Sequence, residues 1–358
     1  MDQTRKTDLL SLLPEELCEL VLSLGEPRYR AEQLFAPMHR GICPDDMTNL
    51  GKALKQKLSE VSYYFLPTVR RKLVSALDGT VKYLFSLRDG NCVESVVMKY
   101  KHGNTICISS QVGCRMGCAF CASTIGGKVR DLAPSEMLGQ IIAAERDLGE
   151  RISNVVMMGI GEPLDNYDNV IRFLTLVGHE KGLNIGYRHI SLSTCGLVDG
   201  IDRLAKENFP ITLSISLHAS DDETRNAIMP VNRKWNVEAL LSACRRYYGV
   251  TGRRISFEYT LIAGKNDSPE AAARLARLLN TALRSPTDKT SFPIHVNLIP
   301  VNPVTETGFS ASDGAAIQKF ASILEKKGIR ATVRRRLGSD INASCGQLRR
   351  AEENGTAE

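Results

Sequence analysis

The apolar residues keep three different rhythms along the chain. Up to about residue 65 they recur at helical spacing. Pro14-Glu15-Glu16 opens a helix whose Leu17, Leu20, Val21 and Leu24 share one face, and Gly25 closes it. A second helix is predicted from Tyr29-Arg30-Ala31-Glu32-Gln33-Leu34-Phe35 and a third near Leu50–Leu58, which makes residues 1–65 a small helical module. Residues 66–103 switch to period two. Val81, Tyr83, Phe85 and Leu87 alternate with other positions after the turn Asp78-Gly79, and Cys92–Lys99 reads as a further strand, so this stretch is a β-rich connector.

From residue 104 to 336 short apolar runs alternate with helical stretches. The predicted strands are Thr105–Ser109, Asn154–Met158, His189–Ser193, Ile211–Leu217, Ile255–Leu261 and Ile294–Ile299. Between and after them lie the helices Ser135–Leu148, Asn166–Val177, Val237–Tyr247, Pro269–Leu283 and Ser312–Lys327. Strand–helix alternation implies an α/β fold with a parallel sheet and helical crossovers. Six such units fall short of a closed eight-stranded barrel, so the expected core is a partial (β/α)6 barrel, with a doubly wound sheet as the alternative. Residues 337–358 form a C-terminal segment whose polar end, Ala351–Glu358, is expected to be disordered.

Composition narrows the function classes. The chain has 358 residues, 43% hydrophobic and 24% charged, with no apolar run long enough to span a bilayer. The stretch Leu9-Leu10-Ser11-Leu12-Leu13 is too short for a signal peptide, so a cytoplasmic monomer with no membrane partner is expected. The net charge of +6 permits an anionic partner without requiring one. Basic residues cluster at Arg70-Arg71-Lys72, Lys128 with Arg130, Arg334-Arg335-Arg336 and Arg349-Arg350, as phosphate contacts would need, although solvated surface charge produces the same pattern. Trp235, Tyr63, Tyr64 and Phe65 could stack on bases; packing is the simpler expectation.

Ten cysteines in a reducing compartment call for a cause other than disulfides. Cys18, Cys43, Cys92, Cys195 and Cys244 are scattered and read as packed or surface thiols. Cys114-Arg115-Met116-Gly117-Cys118-Ala119-Phe120-Cys121 is different: a C-x3-C-x2-C loop following the first strand of the βα series. Three thiolates can hold three irons of a four-iron cluster and leave the fourth iron open to the amino and carboxylate groups of S-adenosylmethionine. A structural zinc site is the alternative. It would need a fourth ligand such as Cys107 or His102, and no second C-x2-C pair is present. With Phe120 before the third cysteine, the motif resembles that of the radical S-adenosylmethionine (SAM) superfamily.

In βα barrels reactive groups gather at the carboxyl ends of the strands. Those ends carry Gly159-Ile160-Gly161-Glu162-Pro163, Ser193-Thr194, Ser216-Leu217-His218 and Pro300-Val301-Asn302-Pro303. Glycines allow close approach to a ligand, and Glu162 can accept hydrogen bonds from an ammonium group. Ser193, Ser216, His218 and Asn302 can bind a ribose or a carboxylate. A dinucleotide-binding reading fails because the third glycine of G-x-G-x-x-G is missing.

Longer segments resemble one family. Gly161-Glu162-Pro163-Leu164 with Asn166, Ser216-Leu217-His218-Ala219, Asn297-Leu298-Ile299-Pro300-Val301-Asn302-Pro303 and Asp340-Ile341-Asn342-Ala343-Ser344-Cys345-Gly346-Gln347-Leu348 resemble the RlmN/Cfr family of radical SAM RNA methyltransferases. Tyr29–Phe35 and Glu94-Ser95-Val96 resemble it too, so the likeness covers nearly the whole chain. It implies a 4Fe-4S cluster held by Cys114, Cys118 and Cys121, and two molecules of S-adenosylmethionine per turnover. Gly161, Glu162, Ser193, Ser216, Leu217, His218 and Asn302 resemble the cosubstrate site. Cys345 resembles the methyl-carrying cysteine, Cys107 the resolving cysteine and Glu94 the proton acceptor, and the helical module the accessory RNA-binding domain.

The implied substrates are an adenosine of 23S rRNA and one in the tRNA anticodon loop, methylated at C2. Pro163 favours that branch over the Cfr-type branch, which methylates C8 of the same rRNA adenosine and tends to carry Ala there. C2 of adenine is electron-poor and cannot attack a sulfonium methyl as an amine would, which calls for a radical route; the resemblance implies one through methylated Cys345, a covalent RNA adduct and a transient Cys107–Cys345 disulfide. A reducing partner such as flavodoxin is implied. Two other readings are a radical enzyme acting on a small molecule or peptide, against which the pair Cys107/Cys345 argues, and a nonenzymatic RNA-binding protein with a structural metal.

Overall fold

The structure, a computed structural model, describes residues 6–283, 292–302, 308–343 and 348–349. The helical module contains β1 (Thr7–Asp8), α1 (Pro14–Ser23), α2 (Tyr29–His39), α3 (Lys52–Val61) and β2 (Ser62–Tyr63), with β1 and β2 paired in parallel. Pro14 starts α1 where its missing N–H costs nothing, and Glu16 reaches back to accept from Leu13 N at 2.8 Å. Leu17, Val21, Leu34, Phe35, Leu54 and Leu58 fill the module's interior, which is continuous with the core of the rest of the chain.

Next come four antiparallel strands, β3 (Thr68–Val74), β4 (Val81–Ser86), β5 (Cys92–Tyr100) and β6 (Gly103–Cys107). A small hairpin follows, β7 (Gln111–Gly113) with β8 (Lys128–Asp131), enclosing the cysteine loop. The chain then alternates: α4 (Pro134–Leu148), β9 (Ile152–Met157), α5 (Tyr167–Val177), β10 (Ile190–Thr194), α6 (Val198–Glu207), β11 (Thr212–Ser216), α7 (Asp222–Ile228), α8 (Val237–Thr251), β12 (Ile255–Leu261), α9 (Pro269–Leu283), β13 (Ile294–Pro300), α10 (Gly314–Lys326) and β14 (Arg330–Val333).

All of these strands except the two short pairs join one ten-stranded sheet, ordered β14-β13-β12-β11-β10-β9-β6-β5-β4-β3. From β6 through β14 the neighbours are parallel and follow chain order without reversal. Right-handed crossovers that always step the same way keep their helices on one face, so the strands curl about the other. A doubly wound sheet would reverse direction midway, and this one does not. The partial barrel holds, with one more parallel strand than the six predicted. That strand, β14, is a four-residue edge whose exposure alternates, and it offered no apolar run to read. The opposite edge, β3, carries Arg70, Arg71 and Lys72, charges that discourage edge-to-edge pairing. The connector is therefore an extension of the barrel sheet itself.

Helix α4 ties both halves of the sheet together through one buried amide. Gln140 Oε1 accepts from Ser95 Oγ (2.8 Å) and Ser109 N (2.9 Å), while Nε2 donates to the carbonyls of Ser109 (3.0 Å) and Glu136 (3.1 Å). Replacing it with an isosteric apolar residue would strand both backbone groups of Ser109, at about 1–3 kcal/mol each. Gln140→Leu is expected to lose at least about 2 kcal/mol in a denaturant titration; a loss below half of that would contradict this role.

Candidate active site

The cysteine loop is fixed by glycines and backbone bonds. A Cβ on Gly113 (φ +77°) would sit 1.9 Å from the Gly127 carbonyl, so the loop closes only with glycine there. Cys114 N donates to Gly127 O (3.1 Å), Ala119 N to Ile228 O (2.9 Å) and Thr124 Oγ1 to Cys121 O (2.9 Å). Asp165 gathers Gln111, Lys128 and Arg115 at the base of the loop. Lys128 and Arg130 are thus engaged with Asp131, Asp165, Asp89 and Glu136, and do not form the free basic patch that their spacing suggested.

Cys114, Cys118 and Cys121 line a cavity of about 210 Å³ at the carboxyl ends of β9 to β12. Burial pushes the Cys114 thiol up to about 12 and the Cys118 thiol up as well, outweighing the pull of the Arg225 cation on Cys118. Sulfurs in such a place become thiolates when a metal takes their charge. Among the described residues no three His, Cys, Asp or Glu groups converge on a single ion. The zinc alternative would need a fourth ligand beside these sulfurs. Its proposed fourth ligands lie elsewhere: Cys107 lines another cavity, and His102 stacks on Tyr100. Three cysteines around one cavity fit a cluster whose irons are bound one to each.

Gly161, Glu162, Ser193, Ser216 and His218 line the same cavity. Gly159 and Gly161 serve chain-to-chain contact: a Cβ would lie 2.6 Å from Ile108 O and from Gln111 Cβ respectively. Their closeness lets Ser110 N and Gln111 N donate to Ile160 O, at 2.9 and 3.1 Å, docking the end of β9 against the strand that precedes the cysteine loop. Buried Glu162 accepts from Leu164 N (3.0 Å) and Cys195 N (2.7 Å), so it braces two loops while facing the cavity.

His218 takes a left-handed backbone (φ 56°), accepts from Thr260 N at Nδ1 (2.9 Å) and meets Phe120 edge-on at 4.9 Å. Its neutral ring therefore carries the proton on Nε2, a donor available at the cavity. Leu217 differs from the rest. It is not among the cavity-lining residues: its side chain is fully buried in the main core, and its backbone N–H donates to Glu258 O.

Asn302 lines a neighbouring cavity of about 130 Å³, with Cys107, Val96, Met98 and Arg334–Leu337. Met158, Ile299 and Arg334 line both cavities, so the two adjoin. Cys107 ends β6 and is buried against Val96, Met98, Leu337 and Ala343. Glu94 is buried on β5, with its Oε2 3.1 Å from Lys82 Nζ and its Oε1 accepting from Arg349 N at 2.7 Å. Cys345 and the tail Ala351–Glu358 lie outside the described residues.

Two site residues escaped sequence reasoning. Arg225, fully buried, donates to the carbonyls of Cys195 (2.7 Å), Ser216 (3.1 Å) and Leu217 (3.1 Å), fixing the ends of β10 and β11. A lone arginine in a polar helical stretch gives no warning of this. Lys82 is the other. It sits at an alternate position of a strand, where a polar residue reads as solvent-facing, yet it is buried.

A partial barrel with three cysteines after its first parallel strand, opening on a cavity of polar strand ends, defines a radical SAM enzyme, and residues 108–276 match the radical SAM superfamily. Residues 7–63 match the ribosomal RNA large subunit methyltransferase N-terminal domain. The chain is 51% identical over 344 residues to a probable dual-specificity RNA methyltransferase RlmN of Clostridium acetobutylicum, covering 96% of this chain and 97% of that one. A relative of the same description from Lachnospira eligens is also 51% identical, over 345 residues and 96% of each chain. The crystal structure of a radical SAM methyltransferase from Sphaerobacter thermophilus superimposes with a TM-score of 0.88 at 43% identity, over 95% of this chain and 98% of that one. The chain belongs to the RlmN family of dual-specificity RNA methyltransferases.

Burial holds the His218 ring at a pKa of about 3, against 6.5 when unfolded. Between those values the unfolded chain binds the extra proton, so this histidine's contribution to stability rises with pH from about 3 to 6.5 and is level above. The thermal midpoint of His218→Gln is expected to vary less with pH between 4.5 and 6.5 than that of the unaltered protein. Equal slopes would contradict the buried neutral ring.

Proposed function

We propose that the protein methylates C2 of an adenosine in 23S rRNA and C2 of an adenosine in the tRNA anticodon loop. Membership of the RlmN family supports the C2 reading over Cfr-type C8 chemistry. The observation that carries the mechanism is the adjoining of two cavities, one lined by Cys114, Cys118 and Cys121 and the other by Cys107. In this reading Cys114, Cys118 and Cys121 would hold a 4Fe-4S cluster, and Gly161, Glu162, Ser193, Ser216, His218 and the Leu217 backbone would hold S-adenosylmethionine, with Asn302 reaching from the adjoining cavity. When bound there, such a cluster would supply the electron for reductive cleavage of S-adenosylmethionine.

The remaining tasks fall to this chain's own groups. Cys345 accepts a methyl group from a first S-adenosylmethionine by polar displacement, a reaction thiolates perform readily. The S-methyl then gives up a hydrogen atom to the radical from a second, and its carbon bonds to C2. Glu94 takes the C2 proton as the adduct radical gives up one electron, which the oxidised cluster would accept back. Cys107 attacks the sulfur of Cys345; the methylene carbon leaves with the C–S bonding pair and takes up a proton to become the methyl group, and a cytosolic reductant reopens the disulfide left behind. The burial of Cys107 and its place on the face that also bears Glu94 support this division of roles. Val96, opposite Cys107 in the β5–β6 register, is two residues from Glu94, and such diagonal neighbours lie about 7–8 Å apart. Arg334–Arg336, at the rim of the Cys107 cavity, supply the positive charge that an entering nucleotide needs. A flavodoxin-type donor provides the electrons.

The test is an anaerobic reaction of reconstituted enzyme with reductant, S-adenosylmethionine and either rRNA fragments or tRNA, followed by nucleoside mass spectrometry. The expected product is 2-methyladenosine in both RNAs, with Cys107→Ala halting at a covalent protein–RNA adduct. Product 8-methyladenosine would transfer the protein to Cfr-type chemistry. Formation of 5′-deoxyadenosine with no methylated nucleoside would remove RNA as the substrate.

A further inference from the structure

The antiparallel half of the sheet buries an ion pair where apolar side chains would pack as well. Lys82 on β4 is 1% exposed and Glu94 on β5 is 2% exposed, with Nζ 3.1 Å from Oε2. The register sets Lys82 opposite Val96 and Leu84 opposite Glu94, so both charged side chains rise from the face that carries Cys107. Taking two such charges out of water is costly, and an apolar pair of similar volume is often at least as stable. Stability alone therefore gives no reason for the pair.

Each member of the pair holds a backbone group of the C-terminal segment. Lys82 Nζ donates to the carbonyl of Asn342 at 3.0 Å, and Glu94 Oε1 accepts from the amide of Arg349 at 2.7 Å. Asn342 lies three residues before Cys345 and Arg349 four residues after it. The segment before Cys345 is fastened further upstream. Gly338 N donates to Asp78 (2.8 Å), and Asp340 accepts from Ser75 Oγ (2.7 Å) and Ala76 N (2.8 Å).

We propose that Lys82 is a positioning residue: it aims the Glu94 carboxyl group, and the pair secures the chain on both sides of Cys345 to the face bearing Cys107. This rests on the reading that Glu94 accepts the C2 proton and Cys345 carries the methyl. A base must also be held at its proton, and the bond from Lys82 Nζ to Oε2 fixes where the Glu94 carboxyl group points. The same pair orders the later steps. Once Glu94 holds the proton, the bonds from Lys82 and from Arg349 N lose their charge assistance. The hold on the segment then weakens at the stage where Cys107 must reach the sulfur of Cys345.

Single-turnover reactions of the reconstituted holoenzyme with an rRNA fragment test this, using K82Q, K82R and E94Q beside the parent. The quantities followed are 5′-deoxyadenosine, the protein–RNA adduct on denaturing gels, and methylated adenosine. In K82Q, cleavage of S-adenosylmethionine and adduct formation are expected to persist. Release of methylated RNA should slow at least roughly tenfold, the effect of losing one charge-assisted hydrogen bond. K82R should recover most of that loss. Release at the parental rate by folded K82Q overturns the proposal.

Parental release by E94Q with slow release by K82Q would remove the base from the underlying reading and uphold the role of Lys82 in holding the segment. Should K82Q not fold, hydrogen exchange of the C-terminal peptides in E94Q decides the matter, since that variant keeps Lys82 and the side-chain volume. At least roughly tenfold faster exchange is expected from the lost charge; unchanged exchange overturns the proposal.

Discussion

Strand β6 is paired on both edges, antiparallel to β5 and parallel to β9, and the site depends on that double pairing. Its last residue, Cys107, is set between Val96 of β5 and Val156 of β9. The chain then passes through the glycine-lined junction with the end of β9 and enters the cysteine loop seven residues later. One short strand thereby fixes the Cys107 cavity, the three-cysteine cavity and the face on which Glu94 stands. Pairing β6 on one edge only would leave either the barrel or the antiparallel extension without its half of the chemistry.

The polar interior around these cavities is held by groups that saturate one another. Gln140 satisfies Ser109, Glu162 satisfies the amides of Leu164 and Cys195, and Arg225 satisfies three strand-end carbonyls. Each is a side chain reaching irregular backbone that no ladder serves, and orphaned backbone groups in a dry place are expensive. A site of this kind is preorganised. Its loops are set by buried bonds before any cosubstrate arrives, which suits chemistry in which a reactive radical must meet its target and nothing else.

Much of this was legible in the sequence because local signals and tertiary structure agree. Six of the seven parallel strands announce themselves as apolar runs, the cysteine triplet by its spacing, and the helical module by Leu17, Leu20 and Val21 on one face. The parts that stayed hidden are those where a tertiary neighbour overrides the local pattern. Lys82 occupies a position that alternation assigns to solvent, and a C-terminal segment more than two hundred residues away covers it. Lys128 and Arg130 look like phosphate ligands until Asp165, Asp131, Asp89 and Glu136 arrive from elsewhere in the chain. Gly159 and Gly161 line the three-cysteine cavity, and their second task, making room for Ile108 and Gln111, has no local signal. Edge strand β14 lacked an apolar run because an edge has only one neighbour to pack beside.

The central claim is that the methyl group reaches adenosine by way of Cys345, and not directly from S-adenosylmethionine. An isotopic chase tests it most directly. Enzyme is first incubated with S-adenosylmethionine carrying a labelled methyl group, cleared of the free compound, and then given RNA, reductant and unlabelled S-adenosylmethionine. A first-turnover 2-methyladenosine that carries the label, matched by loss of label from the peptide containing Cys345, is the expected result. An unlabelled first product from enzyme whose Cys345 keeps its label would contradict the mechanism.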